Sequence, residues 1–522
     1  MAKYKTEVEA PPVPHMFFEV GDVVETPSGK VFRHYGQGKW DQENYVSFET
    51  SPGGGIEYPA TYESSVEMFV GGTHRAVGRS THEKHEYLKA CLRRAKGGRV
   101  ATAGASPIAF RADHGTQQFF TDHFPLFEAR GIPVTLGLLT EPVGDPAHRY
   151  EPCSHTWEQI RGWHHRGVEM WPHTHTHTDP TDTAALEGRT VDEVLWRETV
   201  LPGILMQQNG IMPIGFQAAG ITPCKTPNWG SEMFTPAAWD SNQGKWILEN
   251  YGLVELVQYA KDRLGNFYTT GGKYRYLPTD GANDLGHYTL DSVTIAQAKT
   301  FLDQAVLWGV GAQIMWHPRV VAGGQVPWTT ANLVELLDYV VTLRDQGKIL
   351  PVSSSGLAFA DMDATLRRSV MMEQYFESGI APHVAGSKWA RVGNTAVPLT
   401  IAPDGSNPGR YIVTQPANAA GDIYQGNSFA SDHLWHGHSF SVEAECRNTA
   451  ETTASSMRIS VYVDNVLIPG VNRLQPIAAD SQWKTIRQVF CLPVGAQNFQ
   501  VRVGRPLGDG VIEYRRIGVH PI

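Results

Sequence analysis

The sequence predicts an α/β fold followed by an all-β domain, and two patterns lead to this prediction. Residues 99–362 alternate short apolar runs with helical patterns, which is typical of βα units around a parallel sheet, either open or closed into a barrel. Residues 396–522 contain short alternating segments such as "SFSVEAEC" and "NFQVRVG" between turn residues, which is typical of a β-sandwich.

The βα units follow one another in a regular order, and each predicted strand is short, apolar and followed by a turn signal. Glycines end several of the helical patterns, as expected for helix stop signals. The predicted strands cover residues 106–112, 132–139, 168–173, 213–218, 312–318 and 349–354. The predicted helices cover residues 116–131, 155–167, 190–210, 293–309 and 329–348.

The flanking regions carry less information. A chain of 522 residues is too long for one typical core, so we expect two to four domains. Residues 1–98 combine a proline-rich start with a predicted helix at 80–98, and we interpret them as an attachment region. Residues 363–395 are weakly patterned and are predicted to be a linker.

Composition excludes several classes of function. Hydrophobic residues make up 41% and charged residues 19%, which is typical of a globular chain. The net charge of −9 argues against a nucleic-acid partner. The N-terminus has no apolar signal-peptide region and no apolar run approaches a membrane span, so we expect synthesis in the cytoplasm and no membrane partner.

The five cysteines form no dense framework. Their odd number and the lack of a CxxC pair predict mostly free thiols of a protein made in a reducing compartment. A bridge between Cys446 and Cys491 remains open at this point.

The segment "EMWPHTHTHTDPTD", residues 169–182, raises the question of a metal site. His173 and His177 share one face if the chain turns after the strand, whereas His173, His175 and His177 share one face if it stays extended. A solvated Thr/His loop is the alternative interpretation.

Other polar residues also fall where predicted strands end. Asp113 and His114 follow one strand, and Gln217 and His317 end two others. In a parallel sheet, the carboxyl ends of the strands carry the chemistry. A carboxylate beside a metal ligand suits metal-assisted hydrolysis, although each residue alone is more typical of a turn.

These segments resemble a known family. "IAFRADHGTQQFFTDHFPLFEARGIPVTLGL" resembles the first segment of the polysaccharide deacetylases, the NodB-homology domain of carbohydrate esterase family 4. "VEMWPHTHTHTDP" is similar to the second motif, "PIGFQAAG" stands in the place of the third, and "AQIMWHP" looks like the last. The resemblance covers roughly residues 100–360, with four motifs in family order.

The resemblance implies a distorted (β/α) barrel and a set of roles. Asp113 matches the general base, and His317 matches the acid that protonates the leaving group. His114, His173 and His177 match the metal ligands, with Zn²⁺ or a similar divalent ion as cofactor. The implied reaction removes acetyl groups from a polysaccharide.

Two positions depart from the family pattern. His114 replaces an aspartate ligand, which gives a site of three histidines that still suits zinc. Gln217 replaces an arginine, so it can hydrogen-bond Asp113 and contact substrate but cannot lower the pKa of Asp113 by charge. The carboxylate that should tune His317 has two candidates, Asp240 and Asp291.

Aromatic residues near the strand ends are candidates for stacking on sugar rings. Trp171, Trp229 and Trp316 have this position, and packing in the core or at the rim is the alternative for each. We expect Gln217, Trp171 and Trp316 to bind substrate.

The C-terminal region, including "SQWKTIRQVFCLPVGAQNFQVRVGRP", resembles the jelly-roll sandwiches of carbohydrate-binding modules. Together with the missing signal peptide, this domain set is similar to a bacteriophage minor tail protein. The implied location is the virion, and the implied partners are a cell-wall or surface polysaccharide and other tail proteins, in a homotrimer. The alternative function is non-catalytic glycan or receptor binding on a deacetylase scaffold.

Overall fold

The computed structural model describes most of the chain from residue 100 onward and a few short segments before it. The described residues are 100–177, 187–217, 251, 253–255, 287–324, 328–428 and 437–522, apart from 149, 292, 363–365, 368, 372, 395, 451–454, 494–495 and 506–509. Four short strands precede them and form one sheet in chain order, β1 (Lys3–Lys5), β2 (Val23–Glu25), β3 (Val31–His34) and β4 (Trp40–Glu43). The helix predicted at 80–98 lies outside the described residues.

A parallel sheet forms the centre of the α/β domain. Its strand order is β11-β12-β6-β7-β8, and β13 pairs with the first half of β6. Two further parallel pairs, β5 with β14 and β9 with β10, complete the strands. The strands are β5 (Val100–Ala101), β6 (Ser106–Asp113), β7 (Val134–Leu138), β8 (Val168–Pro172), β9 (Gly215–Gln217), β10 (Leu253–Glu255), β11 (Tyr288–Thr289), β12 (Ala312–Trp316), β13 (Ile349–Val352) and β14 (Ala360–Asp361).

The central strands are buried on both faces, which explains their continuous apolar runs in the sequence. Every residue of β6, β7, β8 and β12 is buried. One face packs under the helices, with Ile108, Phe110 and Leu136 in the main core. Within the described strands the sheet does not close, so the predicted parallel sheet is confirmed while a closed barrel is not seen.

Threonine capping boxes begin four of the helices, and two helices end at glycines predicted as stop signals. Thr156, Thr190, Thr294 and Thr329 each form a reciprocal capping box, and Gly131 and Gly309 end helices in the left-handed conformation. The helices are α1 (Thr116–Gln118), α2 (Phe124–Arg130), α3 (Trp157–His165), α4 (Val191–Thr199), α5 (Leu201–Gln208), α6 (Ile295–Trp308), α7 (Pro318–Ala322), α8 (Thr330–Asp345) and α9 (Ser354–Ala358).

Two predicted helices differ in detail. A π-helical turn at Phe119–His123 joins α1 to α2, which places both Phe119 and Phe120 in the core. The helix predicted at 190–210 is two helices, because Pro202 begins a new first turn after Thr199.

The C-terminal region is a sandwich of two antiparallel sheets, as predicted. One sheet has the order β15-β18-β24-β20-β21 with β22 on β20, and the other has the order β16-β17-β25-β19-β23. The strands are β15 (Ala390–Gly393), β16 (Thr400–Pro403), β17 (Tyr411–Gln415), β18 (Gly421–Ser428), β19 (Ser439–Asn448), β20 (Ser455–Val463), β21 (Val466–Leu467), β22 (Leu474–Ile477), β23 (Lys484–Cys491), β24 (Asn498–Arg505) and β25 (Ile512–Pro521).

The sandwich begins earlier than the sequence indicates. Met371, Phe376 and Trp389 are buried in its core, and β15 starts at Ala390, so much of the predicted linker at 363–395 packs as part of this domain. Cys446 and Cys491 are both buried free thiols, which excludes the bridge between them in this structure. Among the described residues, no helix has the length and apolar character needed to cross a membrane.

Candidate metal centre

The predicted site residues meet at one edge of the parallel sheet. Asp113 ends β6, His173 follows β8, and His317 follows β12. Because these strands are parallel, their carboxyl ends lie at the same edge, where polar side chains from different strands can converge.

Three histidines form a compact cluster at this edge. The ligand atoms of His114, His173 and His177 all lie within 4.8 Å of one another. The ring centroids are 5.1 to 5.7 Å apart, and each residue is at most 9% exposed. The structure therefore brings together the three residues predicted as metal ligands.

The turn after β8 selects two of its three histidines. Thr174 and His177 have φ angles of 69° and 61°, so the chain leaves the extended conformation directly after His173. His173 and His177 thereby face the cluster, while Nδ1 of His175 lies 2.8 Å from the Thr140 hydroxyl, away from it. Of the two alternatives that the sequence left open, the chain adopts the turn after the strand.

The chemistry of this donor set fits a divalent metal. Burial lowers the pKa of His177 to about 4 and that of His173 well below its usual value, which keeps both imidazoles neutral and able to bind a metal. Their Nδ1 atoms are buried without a hydrogen-bond partner among the described residues. Buried orphan nitrogens are costly unless a ligand satisfies them, and three imidazoles suit Zn²⁺.

Asp113 lies beside the cluster and pairs with an arginine that the sequence reasoning missed. Arg111 Nε and Nη2 donate to the two carboxylate oxygens of Asp113 at 2.5 and 2.7 Å, and Arg111 Nη1 lies 3.2 Å from Nδ1 of His287. Burial alone would raise the pKa of Asp113, but the charge of Arg111 holds it well below its usual range. Asp113 is therefore ionised.

The predicted role of Gln217 is corrected by this pair. Gln217 is fully buried, and both polar atoms of its amide lack a hydrogen-bond partner among the described residues. Its amide packs against Gly137 and does not hydrogen-bond Asp113. Since Gln217 has no exposed surface, the predicted contact with substrate is not available either.

His317 lies next to the cluster and is held by Asp291. The two rings of His114 and His317 are 5.0 Å apart. Asp291 accepts a hydrogen bond from the His317 backbone N–H at 3.2 Å and a short bond from His317 Nδ1. Of the two candidate carboxylates, Asp291 occupies the predicted position, and Asp240 lies outside the described residues.

This contact sets the protonation of His317. Burial alone would lower the pKa of His317, but the hydrogen bond to Asp291 and the charges of Asp113 and Asp291 raise it above the usual value. A raised pKa widens the pH range in which the imidazole carries the proton that a general acid must donate.

The two tryptophans predicted to stack on sugars do not do so. Trp171 and Trp316 are both fully buried. Trp316 stacks on Phe127 at 5.2 Å and its indole donates to Nδ1 of His123 at 3.2 Å, so it belongs to the core under the helices. Trp229 lies outside the described residues.

Two neighbours of the cluster were not predicted. Tyr150 stacks on His177 with ring centroids 5.3 Å apart, and Glu151 lies behind His114 with Oε2 3.4 Å from His114 Nδ1. Both come from the irregular segment between β7 and α3, where no periodicity identifies a residue. Burial alone would raise the pKa of Glu151, but its contact with His114 and its hydrogen bonds to backbone N–H groups lower it.

No protein-family model and no curated protein matches the chain. Among solved structures, it is similar to the CBM22-1 xylan-binding domain from Paenibacillus barcinonensis Xyn10C, with 7% identity over 30% of this chain and 97% of that chain and a TM-score of 0.22. It is also similar to the module TmCBM61 in complex with β-1,4-galactotriose, with 12% identity over 30% of this chain and 99% of that chain and a TM-score of 0.23.

A third similar structure comes from a virus. The enzymatically active domain of tailspike protein 4 from bacteriophage CBA120 shares 16% identity over 26% of this chain and 20% of that chain, with a TM-score of 0.21. The chain thus has carbohydrate-binding modules and a phage tailspike among its structural neighbours. Such low values assign neither an activity nor a ligand to this chain.

Proposed function

We propose that the α/β domain is a metal-dependent deacetylase that acts on an acetylated polysaccharide of a bacterial surface. The observation that carries this proposal is the convergence of three histidines with a carboxylate that Arg111 keeps ionised and with a fourth histidine, His317, whose pKa Asp291 raises. A base and an acid that flank a metal site are the groups that hydrolysis of an amide or ester requires.

Each residue then has one task. A divalent ion held by His114, His173 and His177 would supply Lewis acidity toward the acetyl carbonyl and the attacking water. Asp113 accepts a proton as a water oxygen forms its bond to the acetyl carbon. His317 donates its proton to the amine or alcohol as the bond to the acetyl carbon breaks, which yields acetate and the free amino or hydroxyl group. Asp291 restricts His317 to one orientation.

The first test is the metal content of the purified protein by elemental mass spectrometry. We expect about one zinc or similar ion per chain, lost in the His173→Ala/His177→Ala double variant, because both ligands are removed. The matched control is His175→Ala, whose side chain bonds Thr140 outside the cluster and whose loss should leave the metal in place. A wild-type protein that stays metal-free after reconstitution would contradict the proposed site.

The second test is the release of acetate from acetylated bacterial glycans. We expect release by the metal-loaded protein and a loss of about 100-fold or more in Asp113→Asn, which cannot accept the proton. A protein that binds metal but releases no acetate from any such glycan would leave the scaffold without the proposed activity.

A second candidate function is glycan binding without catalysis, and the sandwich carries the observation that favours it. Phe499, Val501 and Val503 of β24 point into the core, so Gln500 and Arg502 lie on the opposite, outer face of the sheet. There, Arg502 lies 3.7 Å from the ring centroid of Tyr462 and 5.4 Å from that of Tyr424. Tyrosine, arginine and amide side chains on one face suit the apolar and hydroxyl surfaces of a sugar.

This second function is tested by binding of the same glycans to a Tyr424→Ala/Tyr462→Ala variant. We expect binding to weaken while acetate release from a small soluble acetylated sugar is unchanged, because the sandwich face is separate from the metal centre. Equal binding by variant and wild type would exclude this face as the glycan site.

We also propose that the protein functions in a phage tail, bound to other tail proteins, as a homotrimer. The supporting observations are the order of domains and the resemblance described for the sequence. Light scattering on the purified chain tests the assembly, with an expected mass of three chains of 57.6 kDa. A monomeric mass would contradict the trimer.

A further inference from the structure

Glu151 is a buried carboxylate whose free oxygen faces a candidate metal ligand. Its side chain is 1% exposed, and Oε1 accepts a hydrogen bond from the backbone N–H of Thr116 at 2.6 Å. Oε2 lies 3.4 Å from Nδ1 of His114 and has no hydrogen-bond partner among the described residues. Burying a carboxylate oxygen is costly unless a charged or donating group compensates for it.

His114 is the group that can compensate. Its backbone is in the left-handed region with φ 42°, which is strained for a residue with a side chain and sets the direction in which the side chain leaves the backbone. Since Nδ1 lies 3.4 Å from the Glu151 carboxylate, the other nitrogen of His114 is the one that remains for a metal shared with His173 and His177. A ring nitrogen that donates to a carboxylate makes the opposite nitrogen a better metal ligand.

We propose that Glu151 is a positioning residue of the metal centre, and this inference rests on the metal site proposed above. Glu151 holds the proton of His114 on Nδ1, directs Nε2 to the metal, and supplies a negative charge one shell away from three neutral ligands. A divalent ion bound by three imidazoles keeps its full double charge, so a buried carboxylate behind one ligand stabilises the bound state.

A merely structural role is the competing explanation, because Glu151 also accepts the Thr116 N–H at the start of α1. The two roles differ in their dependence on residue 114. If Glu151 acts through the imidazole, its effect on metal binding must change when that imidazole is replaced by a carboxylate. If it only holds the loop, the effect must be the same with either side chain.

The experiment measures the Zn²⁺ dissociation constant of the metal-free full chain by competition with a chelating dye. We expect Glu151→Gln to weaken Zn²⁺ binding about ten- to hundredfold in the wild-type background. In a His114→Asp background the same substitution should leave binding unchanged or strengthen it, because it removes repulsion between two carboxylates. The matched control is Glu141→Gln, an exposed carboxylate in the same segment that pairs with His148, and it should not change binding.

The outcomes separate this inference from the proposed function. A wild-type chain that binds no Zn²⁺ overturns the metal site and this inference with it. If the wild type binds Zn²⁺ and Glu151→Gln binds it with equal affinity, the inference alone is overturned. It is also overturned if Glu151→Gln loses the same Zn²⁺ affinity in the wild-type and His114→Asp backgrounds. Thermal melting of the metal-free variants detects misfolding, and if Glu151→Gln is unfolded, Glu151→Asp replaces it, with a smaller loss expected because the carboxylate is drawn back from His114.

Discussion

Arg111 and Asp113 lie two residues apart on β6, so their side chains emerge on the same face of the strand. The guanidinium meets both carboxylate oxygens, at 2.5 and 2.7 Å, and neither residue is more than 3% exposed. This pairing within one strand fixes the carboxylate beside the histidine cluster. Arg111 therefore supplies the positive charge that the sequence analysis found missing at Gln217.

The Arg111→Gln variant tests this role. Without the guanidinium the pKa of Asp113 should rise, because burial then acts without its largest compensating charge. A base works in its ionised form, so activity is lost as the pH falls through its pKa, and a raised pKa moves this acid limb to higher pH. The measurement is the pH dependence of kcat/KM for acetate release.

The control for this prediction is Arg111→Lys, which keeps the charge but not the paired hydrogen bonds. We expect its acid limb to lie between those of wild type and Arg111→Gln. An acid limb that stays in place in Arg111→Gln, in a protein that is folded and binds metal, would show that Asp113 is not the base that sets it.

A second prediction concerns Asp291. The Asp291→Asn variant should lower the pKa of His317, because it removes the charge and the strong acceptor that raise this pKa. An acid works in its protonated form, so activity is lost as the pH rises through the pKa, and the basic limb should move to lower pH. We expect kcat at pH 8 to fall about tenfold or more while the metal affinity is unchanged. An unshifted basic limb would assign the acid role to another group.

The residues that the sequence identified are those whose position relative to a strand end can be read along the chain. Asp113, His173 and His317 are such residues. Arg111 was not predicted, because a charged residue inside an apolar strand does not indicate which residue it pairs with. Asp291 escaped a firm assignment because 26 residues separate it from His317, and Trp171 was misassigned because a strand buried on both faces exposes neither.

The turn after β8 determines the geometry of the candidate metal centre. Two residues of this turn, Thr174 and His177, adopt positive φ, which costs about 1–3 kcal/mol for a residue with a side chain. Glu198 of α4 holds the turn in place: one oxygen accepts the backbone N–H groups of His175 and Thr176 at 3.1 and 2.8 Å, and the other accepts the Thr176 hydroxyl at 2.8 Å. A buried carboxylate thus stabilises a strained ligand turn.

The Glu198→Gln variant should loosen this turn. An amide offers one acceptor oxygen where the carboxylate offers two, so at least one of the three donors loses its partner, at a cost of about 1–3 kcal/mol. We expect a lower melting temperature and a Zn²⁺ affinity reduced about tenfold. The control is Glu193→Gln on the same helix, which weakens the exposed cap at Thr190 without touching the turn. Equal Zn²⁺ affinity in the two variants would contradict the role of Glu198.

Most elements could be predicted because their signals are local. The capping box at Thr294 and the glycine at Gly309 mark the ends of α6 within one residue of the helical pattern. The break at Pro202 and the early start of the sandwich near Met371 were missed. An apolar pattern continues across the proline, and short edge segments join a sandwich core through long-range contacts that no local period reveals.

The C-terminal sandwich packs against the end of the α/β domain that lies opposite the candidate metal centre. The cavity between the two domains is lined on one side by residues at the start of β6 and β13, including Ala105 and Ile349, and on the other by Ser441, Glu443 and Arg487. Gly131 and Gly167 lie directly against Arg487 and Val489 of β23, so backbone and strand are in close contact. These contacts lie at the amino ends of the strands, at the edge opposite the histidine cluster.

Glu443 is the charged centre of this junction. It is 3% exposed and forms ion pairs with Arg367 at 2.9 Å and Arg516 at 2.8 Å, while Arg487 also reaches Asp345 of α8 at 3.2 Å. Burial alone would raise the pKa of Glu443, but the surrounding arginines hold it well below the usual range. An arginine cluster in a buried junction is stable only with a carboxylate to balance it.

The Glu443→Gln variant should destabilise the folded protein by about 3 kcal/mol at neutral pH, because the partly buried arginines then lack their counter-charge. Since the pKa of Glu443 is lower in the folded than in the unfolded chain, its stabilisation is present above the ordinary carboxyl pKa and is lost as the pH falls below it. The melting temperature of the wild type should therefore converge on that of the variant in acid. Calorimetry between pH 3 and pH 8 measures both curves.

The control is Glu445→Gln, which lies on the same strand as Glu443. It breaks a more exposed ion pair with Arg515 and should cost less than about 1 kcal/mol of stability. Parallel curves for wild type and Glu443→Gln across this pH range would mean that the junction does not depend on the charge of Glu443.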